Sequence, residues 1–257
     1  MSSPSHDEII ECLAHDGGLD GVELSDFKFG RLGADTEYFF RNCTLKNTRI
    51  KDVALRASHW QDCDFVNCEF VSCNLREAVF ENCQFFSIDT VEGGAFRFCN
   101  LESACFKSCD LSLSKLLGCD AYDVEFADCK MVGFRVENTG FAREFGLIKR
   151  NSATFSGCNM ADAGLNKTDF STCVFKDCDL SDVDLSHAAL RSSEMTQCNL
   201  HGAELRACSL SGSDLRGSVL DGFDLNIIKD YQGLQISAGQ QHVLLNSIGI
   251  DVFPEEG

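Results

Sequence analysis

From Phe40 to Leu225 an apolar residue recurs at every fifth position, with two interruptions. The first run extends from Phe40, Leu45, Ile50, Leu55 and Trp60 to Phe85; the second, displaced by one residue, from Phe96 to Phe141; the third from Phe155 to Leu225. Helices repeat every 3.6 residues and strands every 2, so a period of five belongs to neither. A short fixed period marks a solenoid, in which each coil buries its apolar face only by stacking on its neighbours.

The residue two places before the centre is small almost throughout, as at Cys63, Cys68, Cys73, Ala78, Ala188, Ser193 and Ser213. All of the 16 cysteines except Cys12 and Cys105 occupy this position. Cys63, Cys68 and Cys73 therefore inherit the spacing of the repeat, whereas zinc sites favour closer pairs with a matching second half. Buried thiols act as small hydrophobes, and this many unpaired ones point to a reducing, cytoplasmic compartment. The residue just before the centre is often Asp, Asn or Glu, as at Asp64, Asn74, Asp110 and Asn199.

Segments such as Cys178-Asp179-Leu180-Ser181-Asp182 and Cys198-Asn199-Leu200-His201-Gly202 resemble the pentapeptide repeat family, with Cys in the place of the consensus Ala. The resemblance implies an all-β fold, a right-handed quadrilateral parallel β-helix with four pentapeptides per coil. Residues twenty apart then lie one above another, and coils spaced by ~4.8 Å give a rod on the order of 40 Å long. Short helices are expected at both ends. Residues 1–35 are assigned to an N-terminal helix and cap, 36–225 to the repeat, and 226–257 to a C-terminal helical segment.

The net charge is −18, yet residues 1–26 hold Asp7, Glu8, Glu11, Asp16, Asp20, Glu23 and Asp26 and no base, so much of the excess lies outside the repeat. An acidic balance argues against direct nucleic-acid binding and for either simple solubility or a basic protein partner. No apolar run approaches the ~20 residues of a membrane span. Asp7 and Glu8 stand where a secretory leader would carry positive charge.

The two breaks lie at 87–95, with Gly93 and Gly94, and at 142–152, which holds Arg143, Lys149 and Arg150 beside Glu144 and Phe145. A regular solenoid gains nothing from such excursions, and loops on rigid scaffolds often carry function; a tolerated insertion is the alternative, and two separate breaks in a strict run tilt the balance toward function. At the N-terminus Ser5 and Glu8 form a capping-box pair ahead of Ile9, Ile10 and Leu13; at the C-terminus Ser237 and Gln240 do so ahead of Val243, Leu244, Leu245, Ile248 and Ile250. The C-terminal apolar stretch must pack on its own last coil or on the same patch of a second chain.

The loops, the segment Phe106-Lys107-Ser108-Cys109-Asp110-Leu111 and the tail Leu244-Leu245-Asn246-Ser247-Ile248-Gly249-Ile250 resemble the Qnr and MfpA subfamily. That resemblance implies a homodimer joined by its C-terminal segments, which mimics duplex DNA, binds DNA gyrase or topoisomerase IV and relieves inhibition by quinolones. The residues expected to meet the enzyme are Arg143, Glu144, Phe145, Lys149 and Arg150 on the second loop. To these are added Asp184, Glu204 and Asp224, twenty apart and hence predicted to form a carboxylate column. Like charges at ~5 Å repel, so such a column is not there for stability; it reads either as functional or as a solvated acidic face. No cofactor or metal is implied, and the 6 histidines join no nucleophile motif, so the chain does not read as an enzyme. The alternative is a general protein-interaction scaffold with no topoisomerase role.

Overall fold

The computed structural model describes residues 5–30, 32–33 and 36–253. Residues 1–4, 31, 34, 35 and 254–257, at the edges of the segments assigned to cap and tail, lie outside the described residues.

Each pentapeptide supplies one side of a right-handed, four-sided parallel β-helix. The first side is a nine-stranded sheet running from Gly18–Asp20 to Glu194–Thr196. The third is a five-stranded sheet from Arg49–Lys51 to Arg135–Glu137. The second side has three strands and then single bridges, and the fourth only bridges, such as Ala54 with Asn74. Strands are short because the chain turns a corner every five residues. Most have one inward residue between two outward ones, as in Phe39–Arg41, where only the central Phe40 is buried.

Inward residues stack in columns. On the first side Phe40, Trp60, Phe80, Phe106, Phe126, Phe155 and Phe175 lie nearly parallel, with centroid separations from 3.7 Å at Phe40–Trp60 to 5.9 Å at Trp60–Phe80. At roughly 1.5–3 kcal/mol per buried large side chain, these columns are the main source of stability. On the second side the small inward position makes a continuous thiol column through Cys43, Cys63, Cys83, Cys109, Cys129, Cys158, Cys178 and Cys198, all buried and free. Their thiols donate to carbonyls of the coil below, Cys63 to Phe40 O at 3.5 Å and Cys83 to Trp60 O at 3.4 Å. Burial pushes Cys68 up to about 11 and Cys173 up to about 12.

Corners fall two residues after each centre, where the backbone enters the left-handed region. Asn42 (φ 50°), Asn47 (φ 49°), Asp62 (φ 53°) and Asn67 (φ 52°) show why Asn, Asp and Gly gather there, since these types tolerate positive φ best. The corner amides also tie coils together: Asn67 Nδ2 donates to Asn47 Oδ1 at 2.9 Å.

The breaks do not interrupt the columns. Phe96 pairs with Phe70 and Phe155 with Phe126, so the surplus residues leave at corners. The ladder also starts before residue 36, because Leu19 and Leu24 keep the spacing of five and stack under Phe40 and Leu45. It passes residue 225 as well, with bridges from Ser209 to Asp230 and Asp214 to Gln235.

Helix α1 (His6–Asp16) covers one end; both capping-box bonds of Ser5 and Glu8 form, Ile9 and Leu13 are buried, and Gly17 stops it at φ 64°. At the other end a single 3-10 turn, Ala238–Gln240, leads into α2 (Gln241–Ser247). Gln240 Nε2 donates to the carbonyls of Leu215 (2.8 Å) and Ser218 (2.6 Å).

Candidate partner interface

The second excursion is an antiparallel hairpin, Ala142–Phe145 with Ile148–Asn151, in the register Arg143 to Arg150 and Glu144 to Lys149. Gly146, at φ 62°, makes the tight turn possible. The hairpin emerges where the fourth side, centred on Phe141, hands over to the first, centred on Phe155.

Its base is locked to the rod. The Arg143 guanidinium makes a two-pronged ion pair with the buried Glu102 carboxylate and lies over the Tyr122 ring, 5.0 Å from its centroid. Phe145 packs edge-on against the same ring at 6.0 Å. Glu102 also receives Arg76 at 3.3 Å, and Arg76 shares Glu77 with Arg56, so a chain of alternating charges runs from the hairpin down three coils. The Arg143 bonds hold the Glu102 carboxyl below its ordinary range. Thr172 Oγ1 donates to Asn151 O at 2.7 Å and Ser152 Oγ to Asp123 Oδ1 at 2.9 Å.

The structure therefore divides the predicted loop residues. Arg143 turns back into the rod, whereas Glu144, Phe145, Lys149 and Arg150 are exposed. Leu147 at the tip and Ile148 beside it are exposed as well. Phe145, Ile148, Arg150 and Tyr122 line a shallow hollow of about 310 Å³. Glu102 and Tyr122 escaped the sequence reading because neither breaks the repeat.

Asp184 and Glu204 do stand in register on the third side. Asp224 follows them in sequence and caps the 3-10 turn Leu225–Ile227. Each carboxylate accepts a bond from the backbone N–H two residues on: Asp184 from Ser186 (2.9 Å), Glu204 from Arg206 (2.9 Å) and Asp224 from Asn226 (2.8 Å). Asn74, Asn100, Asp110 and Asp214 do the same. The acids thus have a structural use as well, closing the turn beyond each centre. They stand on the third side, and the hairpin leaves the corner between the fourth and the first, so these two sets of residues do not converge.

At the C-terminus Leu244 is buried on its own last coil and Val243 packs beside it, while Leu245 is half-buried. Ile248, Ile250, Val252 and Phe253 remain exposed, Phe253 by 81%. Among the described residues no cluster of His, Cys, Asp and Glu could hold a metal ion, and no helix is long and apolar enough to cross a membrane.

A pentapeptide repeat region model matches residues 149–225, and a model of eight-copy pentapeptide repeats matches residues 48–85. No curated protein matches the chain. Among solved structures it is similar to full-length QnrB1, a plasmid-mediated fluoroquinolone resistance protein, with 21% identity, TM-score 0.68, and 91% of this chain and 100% of that chain covered. A trypsin-treated QnrB1 variant gives 20% identity, TM-score 0.69 and coverage of 92% and 100%; another gives 24%, 0.60, 90% and 99%. At these identities the likeness speaks for the fold.

Proposed function

The chain is a pentapeptide repeat protein, and from that premise we propose that it binds a bacterial type II topoisomerase, DNA gyrase or topoisomerase IV, and protects it from quinolone-type inhibitors. The observation that carries the reading is the anchored hairpin: a rigid rod presents Phe145, Leu147 and Ile148 beside Lys149 and Arg150 at a fixed angle. Exposed apolar side chains on a preordered base suit a protein partner, because little conformational freedom is lost on docking. The likeness to QnrB1, a fluoroquinolone resistance protein, supports an enzyme targeted by these drugs as that partner. The carboxylates of Asp184 and Glu204, one coil apart, supply the acidic face that a DNA-binding groove would accept. In this reading the protein acts by contact and not by catalysis, in a reducing cytoplasm where its buried thiols stay free. Two copies join through Ile248, Ile250, Val252 and Phe253, which the cap leaves uncovered.

The test is gyrase supercoiling and topoisomerase IV decatenation in the presence of a fluoroquinolone, with purified protein added at low stoichiometry. Activity should recover, and replacing 144–149 by Gly-Gly should abolish the recovery while leaving the melting temperature within a few degrees. Absence of binding to both enzymes would make the protein a scaffold for other partners and sink the proposal.

A further inference from the structure

The third side carries a second surface, in the coils that precede the acids and away from the hairpin tip. Lys115 and Arg135 stand directly in register on neighbouring strands, both exposed, and among the described residues neither makes an ion pair. Like charges opposite one another destabilise a sheet. Bases in the preceding coils of this side are compensated instead, Arg49 and Arg97 by Glu69 at 3.4 and 3.3 Å. Lys115 and Arg135 line a groove of about 380 Å³ with Arg97 and the acids Glu69 and Glu92, and Arg135 continues into a second hollow of about 600 Å³ lined by Lys149 and Lys167 with Glu137 and Asp169, so bases outnumber acids in both.

One wall is the first excursion, and it is held rigidly. A Cβ on Gly93 would stand 2.3 Å from Ser114 N, so only glycine lets the loop lie this close to the rod. The rim is apolar at a cost. Val91 (φ 55°), Leu113 (φ 56°) and, at the far end of the strand Ala95–Arg97, Phe98 (φ 54°) hold left-handed corners. Bulky residues are disfavoured there by about 1–2 kcal/mol. Val91 is 63% exposed and Phe98 69%, so burial within the chain does not repay that cost.

We propose that this groove binds an acidic peptide segment with interspersed apolar side chains, its carboxylates on Lys115 and Arg135 and its apolar groups on the Val91–Leu113 rim. An extended segment presents alternate side chains on one face every ~6.8 Å, close enough to the ~4.8 Å between coils for two flexible bases to follow. A duplex nucleic acid fits worse. The column of Lys115 and Arg135 runs on through Gly164 into Asp184 and Glu204, so phosphates laid along it would meet carboxylates. This surface does not depend on the topoisomerase reading.

The experiment is fluorescence anisotropy on the full-length protein with a labelled ten-residue peptide of alternating Glu with Leu and Ser, at about 50 mM salt. Saturable binding should weaken about tenfold or more in Lys115→Glu/Arg135→Glu and measurably in Lys115→Ala/Arg135→Ala, with circular dichroism showing both folded. Lys176→Glu/Lys229→Glu, which changes net charge equally elsewhere, should stay within about twofold of the parent. The proposal is overturned by no saturable binding, by equal loss in the control variant, or by tighter binding of a duplex oligonucleotide than of the peptide.

Discussion

At the scale of single residues, position within the five-residue unit sets the effect of a change. Leu200 is buried at 3% exposure, so Leu200→Asp places an unpaired charge between two coils and costs several kcal/mol, on the order of 3–5. Lys176, exposed on the first side and outside any ion pair among the described residues, should tolerate Lys176→Ala within about 0.5 kcal/mol. Thermal melts of the pair check the register directly; equal tolerance would refute it. Phe98→Asn tests the corner rule in the opposite direction. It should raise the melting temperature through a gain of about 0.5–1 kcal/mol, since Asn accepts the left-handed backbone and little burial is lost.

At the scale of elements, the Arg143–Glu102 salt link anchors the first strand of the hairpin, beside the bond from Thr172 to Asn151 on the second. Glu102→Gln removes the charge that meets Arg143 and should speed tryptic cleavage after Lys149 and Arg150 severalfold at neutral pH, with the melting of the rod little changed. The pH dependence has a definite sign. The folded Glu102 pKa lies below its unfolded value, so the clamp contributes fully above an unfolded carboxylate pKa of about 4.3. It is lost as pH falls through the lower folded value. Hydrogen exchange of residues 143–151, corrected for intrinsic rates, should rise over that acid window in the parent protein but stay level in the Gln variant.

At the scale of the whole molecule, a one-dimensional stack has no edge-free closure of its own, and both ends need covers. Helix α1 covers one end, and α2 with Gln240 the other. Because Leu244 serves that cover, truncating the tail would damage the rod; Ile250→Glu with Phe253→Glu touches only the exposed remainder. Light scattering should show a dimer for the parent chain and a monomer for this variant, with unchanged β-rich circular dichroism. Thiol titration after denaturation should recover nearly all of the 16 cysteines. In the native protein Cys12 and Cys105, half-buried, should react well before the rest.

The repeat made the columns legible in the sequence. In a solenoid long-range contacts fall at a constant separation, so a local period encodes Phe106 on Phe126, and the capping boxes at either end are local motifs of their own. The corner residues were equally legible as a row of Asn, Asp and Gly two places past each centre, though the signal lay outside the positions read first. Where the period lapses, only the tertiary structure decided. It turned Arg143 inward onto Glu102, gave the acids before each centre a turn to close, and divided the C-terminal apolar residues between cap and surface. Those outcomes depend on which side chain a corner brings within reach of a buried partner, and that is a matter of geometry between coils that no spacing along the chain expresses.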